Sequence, residues 1–254
     1  MKKHLFSLLV ALVATAGSLP MAAQEAYAVL TEADYTLTFY YDNLRSTRPG
    51  TKYDMPTTGA TPGWAGTDDA PQEKIKHAVF DASFADYRPT STSLWFQKCM
   101  KLQDIKDIRN LNTENVIDMS LMFQYCSSLA SLDLTGFNTA NVIDMSRMFS
   151  GCNSLTTIYC NDDWSVGGKA KRHYDMFSKC PNLKGDGAAY DSSKTGIEMA
   201  NPTTGYFTTM TTGIDHVTAA GKVGDGKTYD LSGRLVSKNY KGVVVTNGRK
   251  ILQR

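Results

Sequence analysis

The chain has 254 residues, with 27 Lys and Arg against 25 Asp and Glu and a net charge of +2. A balance so close to neutral argues against a general nucleic-acid binder, which needs a basic excess to displace counterions from phosphates. The length suits one elongated domain with small modules at its ends.

Residues 1–23 read as an export signal: Lys2 and Lys3 form the charged part, Leu5 to Leu19 the apolar part, and Met21-Ala22-Ala23 a small-residue exit. That apolar run is shorter than the ~20 residues a membrane span requires, and no later segment is apolar enough to cross a bilayer, so no transmembrane segment is expected after signal removal. Without those two lysines, 25 basic residues face 25 acidic ones. The expected location is the cell surface, the outer membrane or the extracellular space.

Residues 24–75 are expected to form an N-terminal β cap and loop. Val29-Leu30-Thr31 and Thr36 to Tyr41, separated by Glu32-Ala33-Asp34, alternate like a β-hairpin. The Pro-, Gly- and Thr-rich stretch from Arg48 to Pro71 reads as an irregular loop. Its Trp64, with Tyr40, Tyr41 and Tyr53, could alternatively present exposed aromatic side chains to a ligand.

Residues 76–207 carry four near-copies of one phrase. Phe96, Phe123, Phe149 and Phe177 fall 27, 26 and 28 residues apart, and each is followed three residues later by a cysteine: Cys99, Cys126, Cys152 and Cys180. Leu102, Leu129, Leu155 and Leu183 come three residues after those. A period of this length signals a repeat array whose units must stack to bury their apolar faces. Leu132 and Leu134 alternate like a short strand with one face buried. Val142, Met145, Met148, Phe149 and Cys152 step at helical spacing, which predicts a short helix or 3₁₀ segment. The expected fold is an α/β solenoid of leucine-rich-repeat coils with a parallel concave sheet, an N-terminal β-hairpin cap and a small C-terminal β module. The repeat phenylalanines and cysteines form its structural core. The cysteines read as buried small apolar groups, with disulfides between neighbouring coils as the other possibility.

Residues 208–227 read as a linker, and residues 228–254 as a C-terminal β-hairpin module in which Asn247-Gly248 is a favoured two-residue turn. From Lys222 onward there are eight basic residues and only two acidic ones, Asp225 and Asp230.

The phrase Asn-Thr-x-Asn-Val-Ile-Asp-Met-Ser-x-Met-Phe-x-x-Cys-x-Ser-Leu, at 112–129 and again at 138–155, resembles the repeat of BspA-like leucine-rich-repeat surface proteins of bacteria. The resemblance implies export and a binding or adhesion role. Tyr229 to Arg234, with Lys241 to Val245 and Asn247 to Leu252, resembles short C-terminal sorting modules of the type IX secretion route. That resemblance implies surface attachment.

Motifs for chemistry are weak. Gly221 to Thr228 matches the phosphate-loop pattern, but it leads into a strand and turn where that chemistry needs a helix. His4, His77, His173 and His216 lie apart, with no metal-binding pair and no nucleophile elbow. Asp162-Asp163, Asp186 and Asp191 are conceivable calcium ligands but lack a loop pattern for it. No enzyme activity, metal or cofactor is expected. The expected function is recognition of a protein or glycan partner through the outward residues of the strands, Ser131, Asp133, Thr157 and Tyr159. The alternative is a structural component of the cell envelope that uses the repeat as a spacer.

Overall fold

The computed structural model describes residues 23–57, 59–166 and 168–210, and beyond them the backbone of four short strands. The expected export signal, except for its last residue, and the phosphate-loop match, except for Thr228, lie outside the described residues, as do positions 211–227 of the expected linker.

Strand β1 (Glu25–Thr31) turns back antiparallel into β2 (Thr36–Asp42), and β3 (Thr51–Asp54) adds to the other side of β1. From β2 the pairing becomes parallel, to β4 (His77–Phe80) and then β5 (Asp104–Lys106). The five-stranded sheet therefore runs β3-β1-β2-β4-β5. A second sheet holds β6 (Ser131–Asp133), β7 (Thr157–Tyr159) and β8 (Phe207–Thr208), all parallel. The last four strands, β9 (Thr228–Asp230), β10 (Leu235–Val236), β11 (Gly242–Thr246) and β12 (Arg249–Gln253), form an antiparallel sheet of their own in the order β10-β9-β11-β12.

The expected α/β solenoid is not what forms. Among the described residues there is no α-helix, only strands, turns and four short 3₁₀ segments, and the parallel strands divide between two sheets instead of lining one. The fold is β-rich. The cause lies in the stretch whose apolar spacing suggested a helix. Leu121 and Tyr125 in one repeat, and Arg147 and Gly151 in the next, have φ between +55° and +79°. A left-handed residue every fourth position stops an α-helix from propagating.

These residues close successive turns. Met122, Gln124 and Cys126 donate their N–H groups three residues back, to Met119, Leu121 and Phe123. The intervening residues donate sideways into the following repeat: Met119 to Asp144 O, Leu121 to Ser146 O, Phe123 to Met148 O and Tyr125 to Ser150 O, at 2.8–3.0 Å. Alternate N–H groups thus serve the turn and the neighbour, which satisfies this buried backbone without a helix.

Packing inside follows the same repeat. Phe96, Phe123, Phe149 and Phe177 are fully buried and stack with centroids 5.6, 5.8 and 5.4 Å apart and planes within 11° of parallel. At one end Phe39 meets Phe96 edge-on, at 5.8 Å and 77°; at the other Tyr206 meets Phe177 at 5.3 Å and 86°. The repeat cysteines are free and buried. The thiols of Cys126, Cys152 and Cys180 donate at 3.0–3.1 Å to the carbonyls of Phe96, Phe123 and Phe149, one repeat earlier. Trp64 is not an exposed aromatic: it is fully buried, its Nε1 donates to Trp95 O at 2.6 Å, and its ring packs edge-on against Phe39.

Gly151 shows how tightly neighbouring repeats interlock. A Cβ there would lie 2.3 Å from the Tyr125 ring, on a backbone with φ of +79°. Gly151→Ala is expected to destabilise the fold by about 1–3 kcal/mol. Lys179 holds the equivalent place in the last repeat, exposed and at φ +58°. Lys179→Gly relieves left-handed strain and is expected to gain up to about 1 kcal/mol. Urea denaturation of the two variants checks both signs.

Candidate functional site

In a strand, residues two apart share a face, so the register of the parallel pairs defines one open surface. Ser131 pairs with Thr157, and Asp133 with Tyr159, which in turn pairs with Thr208. Between them Leu132, Ile158 and Phe207 point inward and are buried. Ser131 is exposed, and Asp133, Thr157, Tyr159 and Thr208 are half-buried. The four residues expected from the sequence therefore lie side by side on adjacent strands.

Equivalent outward positions lie on the other sheet. On β5, Asp104 and Lys106 stand at the repeat positions of Ser131 and Asp133, and on β4 their partners are His77 and Val79. Nδ1 of His77 lies 2.7 Å from Oδ2 of Asp104. Repeat alignment alone could have found Asp104 and Lys106. It could not have found His77, because the parallel pairing of β4 with β5 lies outside the repeated phrase.

Asp133 is largely committed to the fold. Its Oδ1 accepts from the Thr135 N–H at 3.0 Å and the Thr135 hydroxyl at 2.6 Å, and its Oδ2 accepts from Arg109 Nε at 3.1 Å. Arg109 reaches it by lying over Gly136, where a Cβ would come within 3.3 Å of the arginine's Cγ. Ser131 and Tyr159 make no side-chain hydrogen bond among the described residues, which leaves their hydroxyls for a partner.

The core residues offer no chemistry. Burial pushes the Cys99 and Cys180 thiols up to about 12 and those of Cys126 and Cys152 well above their usual value. Such thiols are protonated and unreactive at neutral pH. Three of the four acids weighed as calcium ligands are engaged within the chain. Asp163 accepts from Ser165, Asp191 from Ser193, and Asp186 from the Thr209 N–H. Among the described residues no three His, Cys, Asp or Glu side chains converge as metal ligands would, and no helix is long and apolar enough to cross a membrane.

Residues 90–206 are similar to a protein family described as "Mycoplasma protein of unknown function, DUF285". The matched span covers all four copies of the Phe-x-x-Cys phrase and the segment that closes over the last one. No curated protein and no solved structure matches the chain.

Proposed function

We propose that this protein is a non-enzymatic, exported surface protein that binds a partner through the open face of β5 to β7. The observation that carries the reading is the division of labour along each strand. Inward positions are spent on one continuous apolar core, while outward ones present polar side chains, of which Ser131 and Tyr159 make no side-chain hydrogen bond among the described residues. The resemblance of the repeat to BspA-like surface proteins supports a role in adhesion. The resemblance of the C-terminal module to type IX sorting signals supports delivery to the cell surface.

The partner that best suits a row of hydroxyls and mixed charges is a protein, bound by polar complementarity and by contact with the Tyr159 ring. Because Asp133 is tied to Thr135 and Arg109, the informative variant is Ser131→Ala with Tyr159→Ala. It is expected to weaken partner capture at least about tenfold, while stability changes by less than about 1 kcal/mol. Immobilised protein would be challenged with envelope and host-cell extracts and the captured species compared between wild type and variant. Identical capture removes this face from consideration. Capture of glycan-bearing material that is lost after deglycosylation would redirect the reading to a saccharide. No captured species at all would favour the spacer alternative.

A further inference from the structure

The sideways hydrogen bonds between repeats run in rows, and two of the rows end without a partner among the described residues. In the first, Thr92 N donates to Asp118 O, Met119 N to Asp144 O and Met145 N to Arg172 O, at 2.8–2.9 Å. The next donor in that row is His173 N, which has no acceptor among the described residues. In the second row, Leu94 N donates to Ser120 O, Leu121 N to Ser146 O and Arg147 N to Tyr174 O, at 3.0–3.2 Å. The next donor, Asp175 N, likewise has none.

The reverse bonds end in the same place. Ile117 N donates to Thr90 O, Ile143 N to Ile117 O and Lys171 N to Ile143 O, at 2.8–2.9 Å, and the carbonyl of Lys171 is left without a donor among the described residues. The two rows closer to the core are closed. Phe177 N donates to Thr195 O at 3.0 Å, and Lys179 N to the Tyr190 hydroxyl at 3.0 Å. The segment that closes the array therefore covers the ring end of the last repeat and stops short of Lys171 to Asp175.

A surface depression lies between that uncovered edge and the closing segment, lined by Lys171 to Asp175 on one side and by Ser193, Thr195 and Glu198 on the other. An unpaired sheet edge beside a groove is the arrangement that receives an extended peptide as an added strand.

We infer that the edge from Lys171 to Asp175 is a docking site for an extended, acidic peptide segment of a partner protein, which adds in parallel as the next rung. The earlier repeats specify its chemistry. Within the chain these rows are filled by Asp118-Met119-Ser120, then Asp144-Met145-Ser146 and last by Arg172-His173-Tyr174 at the edge itself; each presents carbonyls at its first and third residues, and the two that precede the edge begin with aspartate. Asp144 also pairs with the repeat that follows it: Arg172 Nε donates to Asp144 Oδ2 at 2.6 Å. An incoming acidic residue would meet the other side of the Arg172 guanidinium, with Lys171 and His173 beside it; the acids nearby are Glu198 across the groove and Asp175, which pairs with Arg147. Among the described residues a second copy of this chain has no such segment free, because both of its Asp-Met-Ser stretches are already paired. This site is independent of the open strand face and stands or falls separately from it.

The test uses a fluorescein-labelled synthetic peptide with the sequence of Asn141 to Met148, titrated with the purified protein and followed by fluorescence anisotropy. Saturable binding is expected. Changing the peptide's aspartate to lysine should weaken it at least about tenfold, and Arg172→Glu in the protein should then restore binding of the lysine peptide, because complementary charge fixes register. Thermal unfolding of Arg172→Glu verifies that it is folded, and Arg172→Ala, which should bind the original peptide weakly, provides a second variant. Absence of saturable binding at about 1 mM protein, a range that includes weak strand-addition complexes, would overturn the proposal. Equal affinity for both peptides, or a protein that dimerises through this edge without peptide, would overturn it as well.

Discussion

Phe123→Ala is expected to destabilise the protein by about 4–5 kcal/mol, a large fraction of the about 5–15 kcal/mol by which native domains are stable. Phe123 sits in the middle of the ring stack, with Phe96 on one side at 5.6 Å and Phe149 on the other at 5.8 Å. Truncation leaves a cavity, and it removes two ring contacts of about 0.5–1.5 kcal/mol each beyond the lost burial. The gap cannot collapse easily, since the backbone on either side is fixed by hydrogen bonds to both neighbours. Leu44→Ala, at an exposed position, is expected to shift stability by less than about 0.5 kcal/mol and serves as the control. Equilibrium urea unfolding of both variants decides the matter; equal midpoints would mean that the stacked rings contribute little.

The second large effect is expected in alkali. In the fold the Cys99 and Cys180 thiols hold their protons until about pH 12, because burial disfavours the thiolate, whereas in the unfolded chain they ionise near the ordinary value of 9.0. Between those two values the unfolded chain loses protons first, so stability falls as pH rises. It is fully present below about pH 9 and is lost as pH approaches 12. A shift of three pH units corresponds to about 4 kcal/mol for one thiol, and all five cysteines are buried. Cooperative unfolding is therefore expected around pH 10–11, with thiolate absorbance at 240 nm rising together with the loss of near-ultraviolet circular dichroism. Thiols that titrate near pH 9 while the circular dichroism stays native would contradict this. At pH 8 the same burial should leave all five thiols silent to iodoacetamide until the chain is denatured.

The repeat itself was legible because its constraint is chemical. Phe96, Phe123, Phe149 and Phe177 must be large and flat, and the cysteines small and apolar, so the period is visible in residue identity. The strand positions around Leu132 and Ile158 could be read for the same reason, since alternation there separates inside from outside. The turns could not. A left-handed residue usually announces itself as glycine or asparagine, yet here Leu94, Lys98, Leu121, Tyr125, Arg147, Asp175 and Lys179 fill those places, and Gly151 alone carries the signal. Apolar residues spaced by three and four then look helical, although the backbone closes single turns three residues back and gives its alternate N–H groups to the next repeat. The burial of Trp64 was not legible for a different reason: a Pro- and Gly-rich setting marks a loop, but says nothing of whether that loop folds back over the core. On the open face, Ser131 and Tyr159 followed from alternation, while the engagement of Asp133 by Arg109 depends on contact across repeats that spacing does not reveal.

The perpendicular rings at either end of the phenylalanine column have a consequence for how such a chain can change in length. Phe39 and Tyr206 lie roughly perpendicular to the rings of the column, so a new unit of 26 to 28 residues finds no continuation of the parallel stack outside them. It does find one between two existing units, where both neighbours present parallel rings and matching backbone. Lengthening or shortening this protein is thus a matter of internal duplication or deletion of whole periods, with the terminal pieces carried along unchanged.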